Sequence, residues 1–360
     1  DHQEIGRNYA PALGILAESY YGEAIVSNTG DVTVNAAGQT AYGLAADGNT
    51  SLVSNAGVGD VYGFMEATGM TAFAAVYAGI DNAGSVSVTA GTYAATGLYA
   101  YAHQVGGDAM IANSGDVVAY SPTTIAYGAR AEVLDGNASI DNSGSLAAYG
   151  QTSVGAVAEA TAVGNVAVIS NSGSITSASI TGNAFGAISV GMDSTINNSG
   201  DVFAEAGYLA VGAEVAGYYS AALNTTAGSS ILASSAIDTA VGTIASAYAG
   251  SVTVNSAGDV RAETVSGRAY GMYLGGDISV DVTNSGIINA SASDAAGSAK
   301  ALFAYSIGDV TITNSGTISA DHDNIAVAVQ LYSADGTARV YNSGTIETSA
   351  APGGSFAIVG

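Results

Sequence analysis

The sequence is notable first for what it lacks. Its 360 residues include no cysteine, no tryptophan, three prolines and six basic residues, of which Lys300 is the only lysine. Without cysteine there is neither a disulfide framework nor a thiol nucleophile. Collagen is excluded because it needs abundant proline and a glycine at every third position. No run of about 18 apolar residues occurs, which excludes a helical membrane span.

The chain is also strongly acidic. Thirty acidic residues against six basic ones give a formal net charge of −24. Nucleic acids and anionic lipids are held mainly by basic surfaces, so we expect neither as a partner. Disorder is disfavoured, because 48% of the residues are hydrophobic and only 10% are charged. The 49 glycines are about twice the normal usage. These proportions predict a large ordered core with many sharp turns or close backbone contacts.

A short phrase repeats along the whole chain: an aliphatic residue, any residue, Asn, a small residue and Gly. One copy is ISNSG at Ile169 to Gly173. Two degenerate copies, Thr226-Ala227-Gly228 and Ser256-Ala257-Gly258, complete a set of twelve with a mean spacing of about 28.5 residues. The asparagines are Asn28, Asn55, Asn82, Asn113, Asn142, Asn171, Asn198, Asn284, Asn314 and Asn342. The glycines are Gly30, Gly57, Gly84, Gly115, Gly144, Gly173, Gly200, Gly228, Gly258, Gly286, Gly316 and Gly344.

Each copy of the phrase belongs to three segments with the two-residue period of β-strands. One segment precedes the Asn, one follows the Gly, and a third, rich in Ala and Gly, lies upstream. The pattern predicts an all-β fold, a right-handed parallel β-helix of about 12 coils of roughly 28 residues, with three strands per coil. We assign residues 12–360 to this single β-solenoid domain, open-ended at its C-terminus, and residues 1–11 to an N-terminal segment.

The Asn-small-Gly phrase is interpreted as a recurrent corner. Asn tolerates the left-handed backbone region, and we expect the Gly to adopt a positive φ. If the Asn side chains point inward, their amides stack into a hydrogen-bonded ladder, with Thr226 and Ser256 supplying hydroxyls in the gap. If they point outward, the phrase is only a turn.

Tyrosine dominates the aromatic residues, at 21 of 27. Tyr42, Tyr62, Tyr127 and Tyr270 stand beside the glycines of the third segment. On the outer face of a rod they would form a contact surface for sugar rings or a neighbouring chain. The alternative is ordinary packing between surface tyrosines.

We find no catalytic, cofactor-binding or metal-binding residues in the sequence. His2, His103 and His322 are too far apart to have the spacing of a zinc site. Carboxylates follow the turn glycine in several copies and are expected to be either solvated or weak surface sites for calcium. They are Asp31, Asp116, Asp201 and Asp259. Acidic and basic residues come close in sequence at Arg130 with Glu132 and at Arg261 with Glu263 and Arg268, a pattern more typical of surface ion pairs than of a catalytic groove.

The repeats resemble those of autotransporter passenger domains and related bacterial surface β-helix proteins. The resemblance rests on phrases such as ISNSGSI at 169–175 and ITNSGTI at 312–318, and it extends from about Ala12 to Val359. It implies a right-handed β-helix located outside the cell or on the bacterial cell surface. It is specific for architecture and not for activity, since such repeats carry adhesins, enzymes and fibres alike. The membrane barrel that ends an autotransporter has no counterpart in this sequence.

The function expected from the sequence is structural and not enzymatic. We expect an extracellular rod that stacks end to end into a surface or matrix filament, with Ser355 to Gly360 opening a thirteenth coil that the next chain completes. One alternative is a passenger adhesin that binds glycans or host and cell surfaces. A second is a polysaccharide-degrading enzyme, which would need clustered carboxylates in one groove.

Overall fold

The computed structural model describes residues 11–294, 296–350 and 354–359, and these form a β-solenoid with strands that all pair in parallel. The strands are β1 Ala12–Glu18, β2 Glu23–Asn28, β3 Asp31–Ala36, β4 Ala41–Asn55, β5 Val58–Gly63, β6 Ala67–Asn82, β7 Ser85–Ala90, β8 Ala95–Val105, β9 Asp108–Asn113, β10 Asp116–Asp135, β11 Ala138–Asn142, β12 Ser145–Ala160, β13 Val166–Asn171, β14 Ser174–Ser179, β15 Asn183–Asn198 and β16 Asp201–Ala206. They continue as β17 Leu209–Thr225, β18 Ser230–Ser235, β19 Thr239–Ala247, β20 Ser251–Ser256, β21 Asp259–Thr264, β22 Arg268–Gly276, β23 Ser279–Asn284, β24 Ile287–Ala292, β25 Ser298–Ser306, β26 Asp309–Asn314, β27 Thr317–His322, β28 Ile325–Ser333, β29 Ala338–Asn342, β30 Thr345–Ser349 and β31 Gly354–Val359.

Each coil contributes to three parallel sheets. The ladder sheet contains the segments that end at the repeated Asn, such as β2. The second sheet contains the segments that follow the repeated Gly, such as β3. The third sheet contains the Ala- and Gly-rich segments, such as β1. In some coils two segments run together without a break, as in β4, whose first half pairs with β1 and second half with β2.

The predicted fold is confirmed: the chain is an all-β solenoid of about 12 turns with coils of about 29 residues. Equivalent residues of successive coils lie in register. Val26 pairs with Val53, Val53 with Ile80, and Ile80 with Ile111. The right-handed sense stays a prediction. Of the N-terminal segment predicted over residues 1–11, only Pro11 lies within the described residues, and Gly360 also lies outside them.

The core is built from columns of equivalent residues. On the ladder sheet, Ile111, Ile140, Ile169 and Ile196 lie directly above one another and are fully or almost fully buried. Burying each such side chain stabilises the fold by roughly 1.5–3 kcal/mol. The third sheet has inward columns that are mostly alanine, such as that of Ala41, Ala67 and Ala95, and one that carries larger side chains, including Met70 and Leu98. The small inward residues that the composition of the third segment predicts are therefore present, but they do not fill the whole inner face of this sheet.

Strand alternation leaves the other side chains of each sheet on the outer surface. The segments of the ladder sheet show this most regularly, since buried and exposed positions alternate along β2. The described part of the chain contains no helix of the length and hydrophobicity that a membrane span requires.

Candidate functional site

The repeated asparagines point inward and form a continuous ladder. The Nδ2 group of Asn142 donates to Oδ1 of Asn171 at 2.7 Å, and Nδ2 of Asn171 donates to Oδ1 of Asn198 at 2.8 Å. The same bond links neighbouring coils from Asn28 to Asn198 and again from Asn284 to Asn342. In every case the amide donates to the following coil, so the ladder has one direction. Each Nδ2 also donates to the carbonyl of the Gly two residues later, as from Asn171 to Gly173 at 3.3 Å.

The prediction that the turn glycines adopt a positive φ is wrong. All twelve lie within the described residues, and of these only Gly228, with φ of 86°, has a positive φ. The glycine is required for a different reason: a Cβ atom at Gly173 would overlap the carbonyl oxygen of Gly144 in the preceding coil. The same overlap recurs at most of the turn glycines, which therefore form a column of stacked backbone. Gly30 has no atom within 4 Å of the Cβ position.

The assignment of Thr226 to the ladder is also wrong. Thr225 pairs with Asn198 in register and occupies the ladder position. This turn contains two extra residues, because Asp201, three positions after Asn198, pairs with Ser230, five positions after Thr225. Gly228 belongs to this longer turn, where it adopts a positive φ. Ser256 lies on the ladder as expected, with its Oγ 3.3 Å from Oγ1 of Thr225.

The hydroxyl pair leaves a defect in the ladder. A hydroxyl side chain is shorter than an amide, and although Ser256 reaches Thr225 of the preceding coil, it forms no hydrogen bond with Asn284 of the following coil among the described residues. Asn284 is completely buried, and its Oδ1 has no hydrogen-bond partner among the described residues. On the outer surface beside the defect, Asn197, Asn224 and Asn255 form a short exposed ladder with bonds of 2.9 Å.

The four tyrosines proposed as a contact surface lie on two sheets. Tyr42, Tyr127 and Tyr270 occupy equivalent positions on the outer face of the third sheet, in coils that are several repeats apart. Tyr62 lies on the outer face of the second sheet, in the column that also contains Tyr120 and Tyr149.

A groove of about 540 Å³ opens beside Tyr120 and Tyr149. Gln151, Ile180 and Glu205 also line it. The sequence did not indicate this groove, because its walls come from coils whose alignment depends on loops of different length.

The third sheet carries further aromatic side chains in outward columns. Tyr305 and Tyr332 stack at 5.4 Å between ring centroids, and Phe73 and Tyr101 pack in a tilted arrangement at 5.1 Å. Because parallel strands in register place equivalent residues about 4.8 Å apart, such stacks follow directly from aromatic residues in adjacent coils.

An ion pair and aromatic rings surround Arg130 on this sheet. The guanidinium lies 2.8 Å from Oε2 of Glu132 and 5.6 Å and 5.3 Å from the ring centroids of Tyr99 and Tyr127. The hydroxyl of Tyr99 donates to Glu132 at 3.3 Å. Burial, and then the charge of Glu132, raise the pKa of Tyr99. Farther along the same column, burial raises the pKa of Glu214.

The other acidic and basic residues singled out in the sequence do not converge. Arg261 forms an ion pair with Asp259 at 2.9 Å instead of with Glu263. The aspartates that follow the turn glycines share one column but are two or three coils apart, about 10–14 Å by the strand spacing. The described residues contain no group of three His, Asp or Glu side chains able to hold a metal ion.

Two of the three histidines lie within the described chain, and they do not meet. His103 stacks on Phe73 at 5.2 Å between ring centroids. His322 is buried, and its Nδ1 accepts the backbone N–H groups of Asn324 and Ile325 at 2.8 and 2.9 Å. Its Nε2 therefore carries the proton and donates to the carbonyl of Asp294 at 2.8 Å. His322 thus has a structural part in closing this turn. His2 lies outside the described residues.

Comparison with known proteins finds no match: no family model, no curated protein and no solved structure matches this chain.

Proposed function

We propose that the chain is an extracellular structural rod that stacks end to end with further copies of itself into a filament. The observation that carries this proposal is the directional asparagine ladder. Among the described residues, Oδ1 of Asn28 accepts a bond only from the N–H of Gly30, within its own coil, at 3.2 Å. At the other end, Nδ2 of Asn342 donates to the carbonyl of Gly344, at 3.1 Å, and to no other atom of the part of the chain that the structure describes. An acceptor end and a donor end are complementary.

The apolar columns of the core also support the stacking of two copies with Asn342 of one against Asn28 of the next. If Asn342 of one copy lies against Asn28 of the next, Val340 meets Val26 and Ile346 meets Val32, because the segments around them have the same spacing. On the third sheet, Ile358 meets Ile15. In the single rod these last two side chains are 51% and 37% exposed, although equivalent positions in inner coils are buried. Stacking would complete the core across the junction.

Substitution of Gly30, one of the turn glycines, tests the proposed end-to-end stacking. Gly30→Ala adds a methyl group that contacts nothing in the single rod. In the proposed junction, the carbonyl of Gly344 from the adjacent copy would occupy that place, just as Gly144 faces Gly173 within the chain. We therefore expect wild type to sediment as species much larger than the 35.1 kDa chain, and Gly30→Ala to sediment as single rods with an unchanged melting temperature.

Gly275→Ala is the matched control. A Cβ atom at Gly275 also has nothing within 4 Å, but the residue lies on β22, far from both ends. It should assemble like wild type. A wild-type protein that sediments as a single chain at micromolar concentration would disprove the proposal, and so would a Gly30→Ala variant that assembles normally.

The aromatic columns on the third sheet support a second candidate, an adhesin that binds glycans. Partly exposed aromatic rings present apolar surface against which sugar rings pack. A glycan-binding face and a filament use different parts of the molecule, since the columns lie on the side of the rod. Binding of soluble oligosaccharides to the single rods of Gly30→Ala tests this candidate.

A further inference from the structure

Two cations on the third sheet have no acidic partner. Most basic residues of the described chain form ion pairs: Arg130 with Glu132, Arg261 with Asp259, and Arg339 with Asp309. Within the same part of the chain, Arg268 and Lys300 form no ion pair. Carboxylates outnumber basic groups five to one in this protein, with 30 against 6, so partners are abundant. Arg268 and Lys300 are therefore exceptional, because neither forms an ion pair with a carboxylate of the described residues.

The two cations lie next to each other among aromatic rings. Tyr270 pairs in register with Lys300 of the following coil, and Arg268 lies two residues before Tyr270 on the same outer face. The Lys300 amine is 5.8 Å from the ring centroid of Tyr270 and 5.5 Å from that of Phe303. Tyr273 stacks on Phe303 at 4.9 Å. Tyr270 meets Tyr273 edge to face, at 5.7 Å between ring centroids, so the result is an aromatic cluster with two positive charges beside it.

No carboxylate of the described residues balances the charges at this site. Burial and the charge of Arg268 both lower the pKa of Lys300, which is the effect of desolvation and of a like charge nearby. Asp238 lies beside Arg268 in the preceding coil, and its backbone carbonyl accepts the N–H of Arg268 at 3.1 Å. Its carboxylate instead accepts the hydroxyl of Thr239 at 3.1 Å. An external anion would relieve the repulsion between the two cations.

We propose that this cluster, Arg268, Tyr270, Tyr273, Lys300 and Phe303, binds a sugar that carries a carboxylate. The guanidinium of Arg268 and the amine of Lys300 would hold the carboxylate through charge-assisted hydrogen bonds. The apolar face of the sugar ring would pack on Tyr273 and Phe303. Uronic and sialic acids share this chemistry. The site lies on the side of the rod and does not depend on end-to-end stacking.

The repeat supplies substitutions that suit the fold. Arg268→Thr introduces the residue that Thr239 provides at the same position of the preceding coil. Lys300→Val introduces the residue that Val327 provides in the following coil. The matched control is Arg261→Asn, which takes its residue from Asn289 and changes the net charge equally, but on the second sheet. Circular dichroism checks that all three variants fold.

The experiment is calorimetric titration with trigalacturonate, 3′-sialyllactose and neutral lactose. We expect wild type to bind at least one of the two carboxylated probes about tenfold more tightly than lactose, and the preferred probe to distinguish a uronate from a sialate site. Arg268→Thr and Lys300→Val should each weaken that binding about tenfold, while Arg261→Asn changes it less than about twofold.

The proposal is overturned if neither carboxylated probe binds, if lactose binds as tightly, or if Arg261→Asn weakens binding as much as the site variants. Repeating the titration with the single rods of Gly30→Ala separates the two proposals. Binding to those rods supports the sugar site whatever the assembly state of wild type, and loss of binding there alone would show that the site needs the filament and contradict its assignment to one chain.

Discussion

Gly173 shows what the corner of each coil requires of a single residue. Its φ is not positive, so other residues could adopt its backbone conformation. Larger residues are excluded by the preceding coil, because a Cβ atom at this position would overlap the carbonyl of Gly144 and the backbone of Ser143. The constraint is therefore steric and comes from a residue 29 positions away. An Asn-small-Gly phrase has the same appearance whether its glycine is needed for φ or for close approach.

This difference gives a prediction for Gly173→Ala. Alanine is the smallest side chain that can replace a glycine. At position 173, however, its methyl group would meet rigid backbone atoms and not a movable side chain. We expect a loss of about 1–3 kcal/mol in the free energy of unfolding, measured by urea denaturation. The adjacent change Ser172→Ala should cost less than about 0.5 kcal/mol, because alanine already occupies that place at Ala56 and Ala83. Equal losses would contradict the steric explanation.

At the scale of the element, the ladder stabilises the fold because its hydrogen bonds continue from coil to coil. Each buried amide both accepts from one coil and donates to the next, and neither group is left without a partner along Asn142, Asn171 and Asn198. A buried polar atom without a partner costs about 1–3 kcal/mol, so a single interruption matters. Thr225 and Ser256 form that interruption, and Oδ1 of Asn284 is the atom left unpaired.

Ser256→Asn should therefore stabilise the protein. The introduced amide would donate to Oδ1 of Asn284 in the manner of the other ladder residues, and Gly258 already stands two positions later to accept the second N–H. We expect thermal and urea denaturation to show a gain of about 1–3 kcal/mol. Ser246→Asn, at an exposed position of β19, controls for the general effect of the substitution. A variant no more stable than this control would show that Asn284 does not limit stability.

The repeat made most of this architecture predictable, because a coil in a solenoid packs mainly on its neighbours and like residues recur at like positions. The sequence placed Asn171 and Gly173 at the corner, but it could not distinguish a positive φ from a close backbone contact. It also misplaced the ladder residue at Thr226, since the two-residue insertion in this turn is located only by the pairing of Thr225 with Asn198 and of Ser230 with Asp201.

The aromatic and cationic columns could not be predicted from the sequence, for a related reason. Tyr273 and Phe303 are 30 positions apart, and Tyr270 and Lys300 likewise. The coil length varies from 27 to 31 residues, so the exact register must be known before these side chains can be placed side by side. The phrase around the Asn fixes the register of the ladder sheet, whereas the third sheet is reached across loops of unequal length.

At the scale of the whole molecule, charge opposes the assembly that the ladder favours. Each copy carries a net charge of −24, so two rods approaching end to end repel one another. The repulsion between exposed charges is screened over about 30 Å at 0.01 M salt but over about 8 Å at 0.15 M. Contacts made by apolar columns and by amide hydrogen bonds depend much less on salt.

The average sedimenting mass of wild type should therefore increase when the salt concentration is raised from 0.01 to 0.15 M. The single rods of Gly30→Ala should show no such increase over the same range, which separates stacking from general salting-out. A mass that falls as salt is added would indicate that ion pairs hold the copies together, contrary to the proposed junction.

The parallel pairing of coils also determines how the rod responds to force. Neighbouring coils are joined by backbone hydrogen bonds that run along the axis, and β1 and β31 lie at opposite ends of the stack. Tension applied to those ends would open the bonds of the terminal coil first and release coils one by one. A coil of about 29 residues occupies roughly 5 Å of the rod but extends to about 100 Å when pulled straight. Under tension, each coil that opens therefore becomes about twenty times as long, while the coils that remain stacked keep their spacing.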